Sequence, residues 1–357
     1  MKITKYLDIG KPFYVMLLFI PMSIFSALVI RNMTLTFIFS ILALVPLARI
    51  VGYATREIAI QSNPTISGLV SATFGNIIEL IIAVLALYDG LLQVVKASIV
   101  GSIIGNILLL SGLAIFMGGL KYKRQRFNKR AVGVSSTMLI IAVAGLTIPS
   151  LYAFSFPNSR HFSLLSDIVA GVMALIYLAG LMFSLKTHKD MFDTTTGMKV
   201  ATKKTKMSIK MAMATLLVTL IVVAVVSEFL VMGIRDAADH IGLTQTFVGV
   251  VIIAIVTNIA ENSAAITFAM ENKIDVSLEI GNNSAIQIAL FVVPVLVLVS
   301  AIFHFGFLLQ FSIFEVIAVV LAVMIVNYLS ADGECNWLEG AQLITVYALI
   351  AIAFFFV

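Results

Sequence analysis

The chain has 357 residues, of which 61% are hydrophobic and only 11% charged, with 23 Lys and Arg against 18 Asp and Glu and a formal net charge of +5. A soluble protein of this length needs far more charged surface, so the composition is that of a polytopic membrane protein with no soluble domain of useful size. The basic residues gather in short runs beside apolar stretches, which argues against nucleic acid as a partner and for anionic membrane lipids.

Apolar stretches long enough to cross about 30 Å of hydrocarbon predict an all-α protein with eleven spans. In chain order they cover residues 12–30, 34–53, 66–87, 91–113, 132–154, 164–185, 209–232, 244–270, 276–303, 307–329 and 338–355. The first follows Lys2, Lys5 and Lys11 like a signal sequence. Its apolar run exceeds the roughly 7 to 15 residues of a signal core and no small-residue cleavage site follows, so it is read as a helix that stays. Residues 1–32 form this extra helix, 33–186 a first set of five spans, 187–208 a basic linker and 209–357 a second set of five.

Orientation follows from Lys and Arg placement. With a cytoplasmic amino terminus, the inward loops hold Lys121, Lys123, Arg124, Arg126, Lys129 and Arg130, then Lys186, Lys189, Lys199, Lys203, Lys204, Lys206 and Lys210. The outward loops hold little beyond Arg31, Arg160 and Arg235. Short loops and a compact chain favour a prokaryotic plasma membrane. The linker, with Asp190, Asp193 and the stretch from Thr194 to Gly197, reads as a polar tether near lipid.

The third and eighth spans carry the chemistry. Gly75-Asn76-Ile77-Ile78-Glu79 lies in one, and Thr257-Asn258-Ile259-Ala260-Glu261 repeats its Asn-x-x-Glu core in the other. A carboxylate at the centre of a membrane helix costs roughly 2.5 to 3.5 kcal/mol on insertion scales, so two of them mark an ion pathway. Five crossings separate the motifs, and an odd number threads the second copy upside down, so spans two to six and seven to eleven are inverted repeats. The likeness continues beyond the motifs. Gly101, Ser102 and Asn106 follow Glu79, while Asn283, Ser284 and Gln287 follow Glu261 at nearly the same offsets. Asn and Glu three apart share a helical face, which stacks an amide near a carboxylate in each half.

Two carboxylates with amide and backbone oxygens suit a hard cation such as Ca2+, which takes six to eight oxygens at about 2.3 to 2.6 Å. Glu79, Glu261, Asn76 and Asn258 are the expected metal ligands. Ser102, Asn106, Asn283, Ser284, Gln287 and Glu228 are assigned to the proton or cation pathway. No Cys, His or Met near the motifs supplies a soft ligand, so copper and zinc are disfavoured. Without metal the two acids should hold protons, and competition at one site couples the two fluxes. Cys335 is the single cysteine, so no disulfide within the chain forms. His161, His188, His240 and His304 show no HExxH pattern.

The stretch Gly68-Leu69-Val70-Ser71-Ala72-Thr73-Phe74-Gly75-Asn76 through Glu79, with Lys96-Ala97-Ser98 through Asn106, resembles the first repeat of the calcium/proton exchanger (CAX) family. The second repeat agrees over Ile255 to Glu261 and Gln287 to Val292. The resemblance, which places the chain in the wider cation/calcium exchanger superfamily, implies one extra helix plus two inverted five-helix repeats, alternating access, and Glu79 and Glu261 as carriers of cation and protons. The second repeat departs from the family pattern. Thr257 stands for Gly, Asn262 for His and Asn283 for Gly, while Arg56 takes a Glu position with Glu57 one place later.

Other acids have two readings. Glu228 is either a vestibule cation relay near the outer end of span seven or a helix-packing hydrogen bond. Asp275 and Glu279 read as a solvated helix start. Among other functions, an ATP-driven pump would need a GxxxxGK[ST] loop and a membrane hydrolase an activated nucleophile, and neither is present, so no enzyme activity and no cofactor are expected. A passive channel would build acidic rings from several chains. A sodium-coupled or Mn2+ exchanger of the same superfamily remains the alternative, and a homo-oligomer is compatible with the sequence.

Overall fold

The computed structural model describes residues 9–188 and 206–356. The expectations for Lys2 and Lys5, and for Lys189 through Lys204 in the linker, lie outside the described residues.

The helices are α1 (Lys11–Ile30), α2 (Met33–Ile60), α3 (Ile66–Tyr88), α4 (Leu92–Lys121), α5 (Lys129–Ser155), α6 (Phe162–Thr187), α7 (Ile209–Ile241), α8 (Gln245–Thr257 followed by Ile259–Met270), α9 (Ile274–Phe303), α10 (Ile313–Leu329) and α11 (Trp337–Phe355). Among the described residues nine of these are long and apolar enough to cross a membrane. The two parts of α8, bent by 57°, make a tenth, and α10 is a shorter apolar helix. Polar side chains start them: Asn32, Asn128, Ser208, Thr244, Ser312 and Asn336 each accept a backbone N–H of the first turn, which satisfies donors the helix leaves orphaned. Several helices run past the predicted spans, α2 by seven residues and α7 by nine, because a helix continues into the interface while hydropathy drops.

Most equivalent helices pack equivalently. α2 lies along α7, α5 packs on α10, the first half of α4 packs on the first half of α8, the second half of α4 packs on α11, and the second half of α9 packs on α6. Exchanging α2–α6 with α7–α11 maps the α2–α7 and α5–α10 pairings onto themselves and α4–α11 onto α9–α6, whereas the α4–α8 pairing has no α9–α3 counterpart of comparable extent. Both α4 and α9 carry a π-helical turn at matching places, Gly105–Leu110 and Ile288–Val292.

The tenth span departs from expectation. Residues 307–312 are not helical but form a strap that buries Phe307, Leu309 and Phe311 while Gln310 and Ser312 stay exposed. Its backbone is satisfied by hydroxyls: Phe307 N–H donates to Ser300 Oγ at 2.7 Å, Leu309 N–H to Ser166 Oγ at 2.9 Å and Phe311 N–H to Ser150 Oγ at 3.0 Å. Irregular backbone at membrane depth survives only where protein groups replace water in this way.

At the opposite face, strand β1 (Gln125–Arg126) of the α4–α5 loop pairs antiparallel with β2 (Glu334–Cys335) of the α10–α11 loop. Arg126 Nε lies 2.9 Å and Arg124 Nη1 3.8 Å from Glu334 carboxylate oxygens. Lys121 Nζ donates to the Met270 carbonyl, Gln125 Nε2 to the Ala269 carbonyl and Asn128 N–H to Asp275. The basic run is therefore not simply a lipid-facing patch, since half of it clasps three loops together. Asp275, expected at a solvated helix start, is part of the clasp.

Candidate functional site

Both motif helices are interrupted at their asparagines. α3 breaks between Phe74 and Ile77, α8 between Thr257 and Ile259, and Asn76 and Asn258 sit at the start of the second segments with near-equal backbone angles. Asn-x-x-Glu thus spans a helix start instead of one continuous face. The break places Glu79 and Glu261 in the first turn of a segment, where the positive end of the helix dipole favours an anion. It also frees last-turn carbonyls of the preceding segment from the helical ladder. Gly75 is needed here because a Cβ would stand 2.8 Å from the Ser71 carbonyl oxygen and 3.0 Å from Gln287 Oε1.

Neither asparagine caps its own helix. Each reaches across to the other repeat instead. Asn76 Nδ2 donates to Gln287 Oε1 at 2.8 Å and Asn76 Oδ1 accepts from Ser284 Oγ at 3.1 Å. Asn258 Oδ1 accepts from Asn106 Nδ2 at 3.1 Å and Asn258 Nδ2 reaches Ser102 Oγ at 3.4 Å. The two sets are symmetry equivalents, and Asn106 closes the chain by donating to Ser284 Oγ at 2.8 Å. Asn76, Asn106 and Asn258 are 5%, 0% and 3% exposed, so this network is a buried brace between the halves. In this arrangement the motif amide oxygens accept hydrogen bonds, that of Asn76 from Ser284 and that of Asn258 from Asn106.

Glu79 and Glu261 line one cavity of about 1430 Å3. Thr257 lines the same cavity, and Glu261 Oε2 is buried without a hydrogen-bond partner. The cavity wall runs from these mid-helix residues to Arg56 and Ser62 at the end of α2, Gly68 at the start of α3, Ser184 near the end of α6 and Glu271 at the end of α8. Those are the helix ends at the basic face, so the site opens there. On the other side α4 and α8 close against each other: a Cβ on Gly101 would collide with the Val250 backbone, and one on Gly249 would stand 2.6 Å from Ala97 Cβ. A recess of about 290 Å3 joins Gly75, Asn76, Glu261, Ser284 and Gln287, again from both repeats.

Nine of the ten predicted site residues therefore lie in the cavity wall or the brace behind it. Asn283 stands apart from the brace, exposed on the cavity wall with its amide 3.5 Å from Glu279, and Glu279 belongs to that wall rather than to a solvated helix start. Glu228 on α7 is half-buried and does not line the cavity. Among the described residues no group of three or more His, Cys, Asp or Glu could form a metal cage, so a divalent cation here would take two carboxylates and complete its shell with neutral oxygens and water. Sequence reasoning passed over Arg49 on α2, whose guanidinium carbon lies 5.1 Å from the centroid of the Phe13 ring. A lone arginine inside an apolar run was the available signal.

The sequence profile described as sodium/calcium exchanger protein matches residues 32–186 and 211–356. A Ca(2+)/H(+) antiporter of Synechocystis is 40% identical over 97% of this chain and 98% of its own length, and the Ca(2+)/H(+) antiporter ChaA of Bacillus subtilis is 39% identical over 94% and 96%. Among solved structures, native YfkE superposes with a TM-score of 0.84 at 37% identity, covering 97% of this chain and all of that one. An H+/Ca2+ exchanger CAX shares the fold at a TM-score of 0.69 and 17% identity.

Proposed function

Because this chain belongs to the sodium/calcium exchanger protein family, we propose that it is a secondary antiporter exchanging Ca2+ for H+, with Glu79 and Glu261 binding the metal or protons in turn. The observation that carries this reading is the placement of both carboxylates in one cavity open to a single face, held by a brace whose two halves are symmetry equivalents. A site shared by inverted repeats and accessible from one side has the geometry for alternating access. Competition supplies the coupling: a divalent ion between the carboxylates displaces protons, and protons displace the ion.

The basic face corresponds to the cytoplasm on the charge rule, which gives a cytoplasmic amino terminus and a conformation open inward; the bacterial relatives and the short loops support a prokaryotic plasma membrane. Sealed vesicles loaded with a pH dye test the proposal, with Ca2+, Mn2+, Mg2+ or Na+ added outside. Calcium-dependent proton movement is expected. A response seen only when sodium is present would transfer the assignment to sodium coupling.

A further inference from the structure

The two repeats differ where their helices close. On the side away from the basic face, α4 lies against the first segment of α8, and the contact depends on small side chains. A Cβ on Gly101 would collide with the Val250 backbone, and one on Gly249 would stand 2.6 Å from Ala97 Cβ. Small residues at such positions let helix backbones meet. Shifting by the spacing between Glu79 and Glu261 carries Ala97 to Glu279 and Gly101 to Asn283, both on α9. The brace anchors this register, because the next residues, Ser102 and Ser284, each hold the motif asparagine of the opposite repeat.

At the basic face the equivalent contact, α9 against α3, is not made to a comparable extent. The recess of about 290 Å3 lies in its place, with Ser71, Gly75 and Asn76 of α3 on one wall and Glu279, Ile280 and Asn283 of α9 on another. Glu279 and Asn283 are four apart on one helical face. Both also line the large cavity, and the Asn283 amide lies 3.5 Å from Glu279. A carboxylate and an amide thus stand where the closed side has a methyl group and a hydrogen atom.

We infer that Glu279 is a charge gate at the basic face: while ionised it holds α9 and α3 apart, and a proton or a cation must neutralise it before that side closes. This rests on the exchange reading. Alternating access by inverted repeats exchanges the roles of the halves, so closing the basic face brings α3 onto α9 as α8 now lies on α4. A carboxylate carried into such a contact without a partner is costly, and a neutralised one escapes most of that cost. Ala97 sets no such condition on the other side. The ionised, empty carrier is therefore kept from closing, which is the step that would let it return without cargo. Glu279 acts through helix packing and is a positioning residue. The other titratable groups on the cavity wall are Glu79 on α3, Glu261 and Glu271 on α8, Arg56 on α2, Tyr177 on α6 and Lys273 ahead of α9. Asp275 and Arg126, also near the start of α9, are engaged in the clasp. All of these are unchanged in the variants below.

The test uses Ser71, exposed on the wall of both cavity and recess, replaced by Cys as a reporter in a Cys335→Ser background. Its alkylation by N-ethylmaleimide is timed at pH 9, without calcium, on monodisperse protein in detergent. Chains with Glu279 intact are compared with Glu279→Asp, Glu279→Gln and Glu279→Ala. The labelling rate follows the fraction of molecules open at the basic face, so the intact and Asp chains should label alike and the Gln and Ala chains at least about threefold more slowly. Losing a nearby negative charge by itself makes a thiol more reactive, which is the opposite direction. Equal labelling of all four, or Gln labelling as fast as the intact chain, overturns the gate, because Gln keeps the bulk and loses only the charge. Asp labelling as slowly as Ala overturns it too. Calcium-driven proton movement by wild type in vesicles is measured separately. Its absence removes the exchange reading while the labelling comparison still decides the gate, and its presence with equal labelling removes the gate alone.

Discussion

Asn106 in α4 donates a hydrogen bond to Asn258 in α8 at 3.1 Å, which ties the pathway helix of one repeat to the motif of the other. Asn106 donates to Ser284 as well, so a single side chain holds two elements of the second repeat. Asn106→Ala should destabilise the protein by about 1–3 kcal/mol, the cost of leaving buried polar partners unmatched. Thermal unfolding in detergent measures it, and an unchanged melting temperature would count against the brace.

Replacing both Glu79 and Glu261 by Gln removes the exchangeable protons and both full charges while keeping the shape. Calcium-driven proton movement should drop to background, with folding retained by size-exclusion profile. Retention of proton movement in this double variant would refute carriage by these carboxylates.

Gly101→Val should fail to assemble or melt well below wild type, since the added Cβ would already overlap the Val250 backbone and overpacking typically costs about 1–3 kcal/mol or more. Gly133→Ala on α5, where a Cβ would meet nothing within 4 Å, is the control and should melt like wild type. Equal melting of the two variants would mean that α4 and α8 do not approach this closely.

Burial in the clasp, with Glu339, Asp332 and Asp275 nearby, pushes the Cys335 thiol up to about 12. A raised value keeps the thiol protonated through neutral and mildly alkaline pH, and the thiolate is the reactive form. Maleimide labelling of the folded protein should therefore be slow at pH 7–9 and fast once detergent and urea open the clasp. Rapid labelling of native protein would show that the β1–β2 ribbon opens readily.

Ser150→Ala and Ser166→Ala should each cost about 1–3 kcal/mol, because each strands a backbone N–H of the strap, Phe311 in the first case and Leu309 in the second. The double variant should be worse than either. Wild-type melting of the double variant would mean that water or another group serves those donors.

Most of the spans and the placement of Glu79 and Glu261 in one cavity were legible because membrane helices must be apolar along their length and intramembrane acids are rare. The helix breaks were not. Asn-x-x-Glu has the same spacing on a continuous helical face as across a helix start, and only the hydrogen bonds of Asn76 to Gln287 and Ser284 separate the two. Phe307 to Phe311 read as the start of a span because hydropathy sees side chains, whereas serines far away in sequence satisfy the backbone there. Gln125, Arg126 and Asp275 looked like ordinary interfacial polar residues, since a clasp among three loops is a long-range arrangement with no local pattern. Arg49 was in plain view as a charge in an apolar run, but its seat over the Phe13 ring depends on how α1 meets α2.

The broken helices have a consequence for biogenesis. Each acidic side chain sits at the electropositive start of its own short segment, and the amides beside it are already matched by protein partners. The polar centre is thus stabilised by the polypeptide before any cargo arrives. Insertion into the bilayer need not wait for metal, and a chelator should empty such a protein without unravelling it.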